Sequence, residues 1–256
     1  MSGEMLTVSG LGKSFGGVAA LRRLSFTVDR GEVLALIGPN GAGKTTCFNV
    51  IHGQLAPDTG DVQFEGRSIA GLPTHAIARL GIGRTFQVAT TFASMTVRES
   101  VVLALAARDR GDARVATGLL PARSPDADAL LDRVGIGELA DTHCAALAYG
   151  DAKRVELALA LAGNPRLLLM DEPTAGMAPQ SRRELMRLAT GLVREGAVAM
   201  LFTEHDMDIV FEFADRIIVL DHGAAIAAGS PEAIRANPVV QATYLGSPDA
   251  PLRPVA

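Results

Sequence analysis

Apolar residues fall along this chain in two different rhythms. Residues 32–37 (Glu32-Val33-Leu34-Ala35-Leu36-Ile37), 167–170 and 198–203 are short, nearly continuous apolar runs bounded by glycine or polar residues. Runs without alternation predict strands buried on both faces, as in a parallel sheet covered by helices. Residues 6–8, 24–28 and 61–65 alternate instead, which predicts half-exposed antiparallel strands, with Lys13-Ser14-Phe15-Gly16-Gly17 as a polar and glycine-rich break between the first two. Residues 216–220 and 225–228 read as a closing hairpin around Asp221-His222-Gly223.

Between residues 97 and 161 the character changes to Ala, Leu and Arg at helical spacing. Thr96 followed by Glu99 has the form of a capping box, so one helix starts there. Residues 108–126 hold Gly111, Gly118, Pro121 and Pro125 and predict a loop, with a helix resuming over 126–134. Residues 230–245 predict one short capped helix, and 247–256 a frayed, Pro-rich end. The organisation expected is one domain over 1–256. An α/β core with an antiparallel β subdomain occupies about 1–87 and 162–246, a helical subdomain is inserted at about 88–161, and 247–256 is a flexible tail.

Composition narrows the class only a little. An apolar share of 48% with 20% charged residues is that of a globular chain, and 256 residues suffice for a sizeable core. A net charge of -4 without a block of Lys or Arg argues against nucleic acid as a partner. Residues 1–10 lack the apolar centre of a signal peptide, and no run approaches a membrane span. Cys47 and Cys144 stand far apart without metal-type spacing and are expected to be reduced packing thiols.

Candidate chemistry sits at the ends of the buried strands. After residues 32–37 the chain reads Gly38-Pro39-Asn40-Gly41-Ala42-Gly43-Lys44-Thr45-Thr46, the spacing of a phosphate-binding loop that opens a helix. Its glycines let successive N–H groups turn toward phosphate oxygens, and the helix N-terminus adds partial positive charge. Lys44 is the candidate contact to the β- and γ-phosphates, and Thr45 offers a hydroxyl to Mg²⁺. A second run ends in Asp171-Glu172. There Asp171 is suited to hold magnesium through water and Glu172 to polarise a water for attack on phosphorus. The run at 198–203 leads into Glu204-His205-Asp206, which makes His205 a candidate γ-phosphate contact. By position alone Phe15 reads as a core anchor or a face for stacking on a purine, the first preferred, and Gln87 stays undecided.

Taken together, the phosphate loop, Gln87, Leu147-Ala148-Tyr149-Gly150, Met170-Asp171-Glu172-Pro173-Thr174 and His205 resemble the nucleotide-binding subunits of ABC transporters over about residues 5–246. Gly83-Arg84-Thr85-Phe86-Gln87, Leu-Ala-Tyr-Gly, Glu204-His205-Asp206-Met207 and Tyr244-Leu245-Gly246 are similar to the ATPases of branched-chain amino-acid uptake. The resemblance implies an ABC-cassette form of the P-loop NTPase fold, ATP and Mg²⁺ as ligands, and an ATPase on the cytoplasmic face of the inner membrane. It makes Phe15 the adenine-stacking aromatic, reversing the positional preference. Gln87 would touch magnesium and the attacking water, and His205 would be the switch histidine. Implied partners are a second copy or a paralogous ATPase subunit, two membrane permease subunits and, indirectly, a solute-binding protein. In the head-to-tail dimer, residues 147–151, ending in Asp151, would face the phosphate loop of the other subunit. Residues 90–99, with Phe92 and Met95 as apolar candidates, would form part of the permease dock.

Three positions depart from the family pattern. Ala148 stands where most members carry a serine, Asp151 replaces the usual Gln or Glu, and Ala178 replaces a frequent aspartate. Alternatives left open by the residues are a lipid- or lipopolysaccharide-export ATPase and a soluble ABC-type ATPase. The latter class usually carries tandem cassettes, coiled-coil inserts or Cys clusters that this chain lacks. A small-molecule kinase would leave residues 147–151 without a role.

Overall fold

A computed structural model describes residues 3–85, 93–109, 120–196 and 198–245. Its strands are β1 (Glu4–Phe15), β2 (Val18–Asp29), β3 (Val33–Ile37), β4 (Thr59–Phe64), β5 (Arg67–Ser68), β6 (Ile82–Thr85), β7 (Leu167–Asp171), β8 (Ala199–Thr203), β9 (Arg216–Asp221) and β10 (Ala224–Gly229). The helices are α1 (Lys44–Ile51), α2 (Thr74–Arg79), α3 (Val97–Asp109), α4 (Leu120–Arg133), α5 (Tyr149–Ala162), α6 (Pro179–Glu195), α7 (Met207–Phe213), α8 (Pro231–Ala236) and α9 (Pro238–Val240).

Two sheets organise the chain. One is six-stranded, in the order β10-β9-β3-β8-β7-β6, parallel from β9 to β6 with β10 antiparallel at its edge. The other is antiparallel, in the order β2-β1-β4-β5. The buried runs serve two cores at once because successive strand side chains point to opposite faces. On β3, Val33, Ala35 and Ile37 pack into the core shared with α3 to α7, whereas Leu34 and Leu36 join the core of α1 and the antiparallel sheet. Leu168 and Met170 of β7 divide from Leu167 and Leu169 in the same way. Fully burying a Leu or Phe contributes about 1.5–3 kcal/mol, so Phe48 of α1, wedged between the sheets at 0% exposure, is among the larger single contributors.

Several elements differ from what the pattern predicts. The first two strands run to twelve residues each and meet at a turn of Gly16-Gly17, so Lys13, Ser14 and Phe15 belong to β1 and not to a break. Irregular register along β1 and β2 blurs the alternation that would have marked the full length. Residues 120–126 are helical and not loop. Pro121 lies in the first turn, where a missing N–H costs nothing, and α4 continues through Pro125 because Ala127, Leu130 and Leu131 are buried beyond it. The C-terminal helix is two, since Asn237 stops α8 and caps Pro238 onward with its side chain on Val239 and Val240 N–H. A π-helical turn, Gln241–Leu245, follows.

Candidate functional site

Strands β3, β8 and β7 lie side by side and parallel, and the C-terminal ends of such strands are where open α/β sheets bind ligands. Each delivers one part of the site. The end of β3 passes through residues 38–43 into α1. Gly38 and Gly43 have φ of 151° and 103°, and a Cβ on either would collide with the carbonyl oxygen of Leu220 or Ala20. Only glycine therefore lets the loop lie this close to β2 and β9. The loop is further tied down by Gly223 N–H donating to Ala42 O at 3.0 Å.

Lys44 is buried, and its Nζ folds back to donate to Gly38 O at 2.7 Å and Pro39 O at 3.2 Å. Burial pulls its pKa below the ordinary lysine value, opposed by the negative charges of Glu172 and Asp171. A buried cation seated on carbonyls, beside a loop wound by glycines, fits an anionic oxygen ligand. Thr45 is exposed at the start of α1 and Thr46 half-buried.

At the end of β7, Asp171 pairs in register with Thr203 of β8. The Thr203 hydroxyl donates to Asp171 Oδ1 at 2.8 Å, and Arg84 donates to Oδ2 at 3.2 Å, with both members of this ion pair only 5% exposed. Glu172 follows with φ of 49°, a left-handed conformation that is strained for a non-glycine residue by about 1–3 kcal/mol. Its N–H donates to Thr203 O and Oγ1 at 3.2 and 3.0 Å, which holds the strained turn. The turn aims the Glu172 carboxylate across the sheet end, where Oε1 lies 2.7 Å from His205 Nε2. Glu204 is buried, accepts from Thr174 N–H at 2.8 Å, and has its pKa raised by burial.

Residues 147–151 sit elsewhere. Ala148 is the N-cap of α5 and supplies no side-chain cap, so no hydroxyl at this position meets the first N–H groups of the helix. Tyr149, 49% exposed, donates from its hydroxyl to Ala175 O at 3.0 Å and lies against Gly176. The segment thus leans on the loop that follows Glu172. Ala178, the N-cap of α6, is likewise without a side-chain cap.

Phe15 is 47% exposed at the tip of the β1–β2 hairpin next to Val18, so it is no core anchor; Ala20, a little further along β2, abuts Gly43. Gln87 and Phe92 lie outside the described residues, and Met95 is half-buried. Sequence reasoning missed the side-chain contributions of Arg84, Thr203 and Glu204. An arginine inside the short strand β6 and a lone hydroxyl closing the apolar β8 were the available signals.

Fold and site together define a phosphate-loop nucleotide-binding protein. The sequence matches the ABC transporter family over residues 21–175 and the family described as branched-chain amino acid ATP-binding cassette transporter over residues 226–250. It is 39% identical over 253 residues to the high-affinity branched-chain amino acid transport ATP-binding protein BraF of Pseudomonas aeruginosa, covering 96% of this chain and 99% of that one. It is 40% identical over 255 residues to LivG of Salmonella typhimurium, a protein of the same description, with 96% and 99% covered. Among solved structures, an ATP-binding cassette of an ABC transporter in its ADP conformation superposes with a TM-score of 0.84 at 32% identity, over 95% of this chain and 99% of that one. A dimeric cassette in a post-hydrolysis state, bound to ADP and Pi, gives 0.77 at 26% identity, over 89% and 99%. The chain belongs to the ATP-binding proteins of ABC transporters, in the branched-chain amino-acid transport group, and is an ATPase coupled to transport.

Proposed function

We propose that this chain powers an importer for branched-chain amino acids or related amides, working on separate membrane permeases from the cytoplasmic face of the inner membrane. The observation that supports this most is the convergence of the glycine-wound loop, Asp171, Glu172 and His205 at one sheet end, in a chain whose relatives are named for branched-chain amino-acid transport. Among the described residues no helix is long and apolar enough to cross a membrane.

Each residue has a task in this reading. Residues 38–46 cradle the phosphates through backbone N–H groups, and Lys44 moves from its carbonyls to the β- and γ-phosphates. Phe15 and the hairpin tip receive the adenine ring. Thr45 and Asp171, with Gln87, would hold magnesium, which would supply positive charge to stabilise that on the β- and γ-phosphates. Glu172 accepts the proton of the attacking water, and His205 fixes the Glu172 carboxylate and meets the γ-phosphate. A second copy or a paralogous subunit completes the site with residues 147–151, where helix N–H groups replace the missing serine at Ala148. Binding energy then closes the dimer, and hydrolysis reopens it.

The test is uptake. Cells lacking this chain should lose ATP-dependent accumulation of labelled leucine, isoleucine and valine. The wild-type chain should restore it and Lys44→Ala should not. Uptake that survives the loss undiminished contradicts the assignment.

A further inference from the structure

Arg84 stands apart among the buried charges of the described core because of where it is anchored. It lies on β6, paired in register with Leu169, so that Asp171 is the diagonal neighbour on the same face of β7. Nη1 donates to Asn49 Oδ1 at 2.9 Å and Gln54 Oε1 at 3.0 Å, and Nη2 donates to Asp171 Oδ2 at 3.2 Å. The ring of Phe48 lies 5.8 Å from the guanidinium carbon. Asn49 is on α1, the helix that begins at Lys44, and Gln54 follows its end. A single planar fork therefore joins the helix of the phosphate loop, the strand β6 and the catalytic strand β7.

We propose that Arg84 is the positioning residue of the Asp171 carboxylate, and through it of the magnesium site. The inference rests on the reading of Asp171 as a metal-holding group. With Thr203 on Oδ1 and Arg84 on Oδ2, both oxygens are held, and the carboxylate plane cannot rotate about its bond to the chain. Only lone pairs directed out of this clamp are left for a cation or its water. A lysine could supply the charge, but as a point donor on a flexible stem it could not bond Asn49, Gln54 and Asp171 together in one plane. Residues that orient a metal ligand from behind typically govern metal affinity by about 10–100-fold.

The test separates anchoring from charge and from folding. Arg84→Lys keeps the cation and loses the fork. Asn49→Ala with Gln54→Ala keeps Arg84 and loosens its seat. Asp171→Asn tests the underlying reading. Each folded variant is titrated with Mn²⁺ in the presence of ATP, followed by electron paramagnetic resonance, and with ATP in the absence of divalent metal. We expect Mn²⁺ affinity to fall on the order of 10-fold in Arg84→Lys and in the Asn49/Gln54 pair, with metal-free ATP affinity kept. The Mg²⁺ concentration for half-maximal hydrolysis should rise in parallel. If Asp171→Asn weakens Mn²⁺ binding while the other variants leave it unchanged, the positioning role is wrong and the reading of Asp171 stands. If Asp171→Asn also leaves it unchanged, both fail.

Discussion

His205 Nε2 and Glu172 Oε1 face each other at 2.7 Å across the ends of two adjacent parallel strands. Neither side chain would be there without its strand: Glu172 turns off β7 in a left-handed conformation, and His205 follows Thr203 past the end of β8. Replacing His205 with Ala should leave ATP affinity within a few-fold and lower turnover on the order of 10²-fold, the low end of the scale for losing a general base, because the Glu172 carboxylate loses the partner that fixes it. Steady-state phosphate release measures it; an unchanged kcat would separate His205 from the reaction.

The start of α3 is closed by a reciprocal pair. Thr96 N–H donates to Glu99 Oε2 at 2.8 Å, and Glu99 N–H donates to Thr96 Oγ1 at 3.2 Å. Thr96→Ala removes one half and should cost about 1 kcal/mol, whereas Thr96→Ser should cost little. Urea unfolding should show a lower midpoint for the alanine variant at unchanged slope. Equal midpoints for the two variants would show the cap to be energetically idle.

His52, buried beyond the end of α1, has its pKa pushed down to about 4, first by burial and then by the positive charge of Arg84. The unfolded chain titrates near 6.5, so below that pH the unfolded state binds a proton that the folded state refuses. Its contribution is thus fully present above pH 6.5 and lost as pH falls toward 4, about 3 kcal/mol in all. His52→Gln should therefore show a shallower loss of stability between pH 7 and 4.5 than the wild type, read from urea midpoints. Parallel losses would contradict the burial of a neutral imidazole.

How much of this was legible depended on how local each signal is. Residues 38–46 declare themselves because glycine spacing and Lys44 act within one turn of chain, and the ends of β7 and β8 because an apolar run stops at Asp171-Glu172 and at Thr203. The capping box at Thr96 and Glu99 is local in the same sense. Arg84 was opaque: its meaning comes from Asp171, distant in sequence, and only strand order makes them neighbours. The extent of β1 and β2 was hidden by bulges, and the beginning of α4 by prolines that a helix tolerates when its later residues are buried. Phe15 shows the limit of positional argument, since the preference for a core anchor fails at a hairpin tip where the ring stays 47% exposed.

The central claim is that Glu172 performs the chemistry while the phosphate loop performs the binding, and one comparison addresses it most directly. Glu172→Gln keeps size and hydrogen-bonding capacity at the strained turn but cannot accept a proton. ATP affinity by calorimetry should stay within a few-fold of wild type, while turnover falls by about 10²–10⁴-fold. Hydrolysis at the wild-type rate in a variant that binds ATP normally would contradict the account.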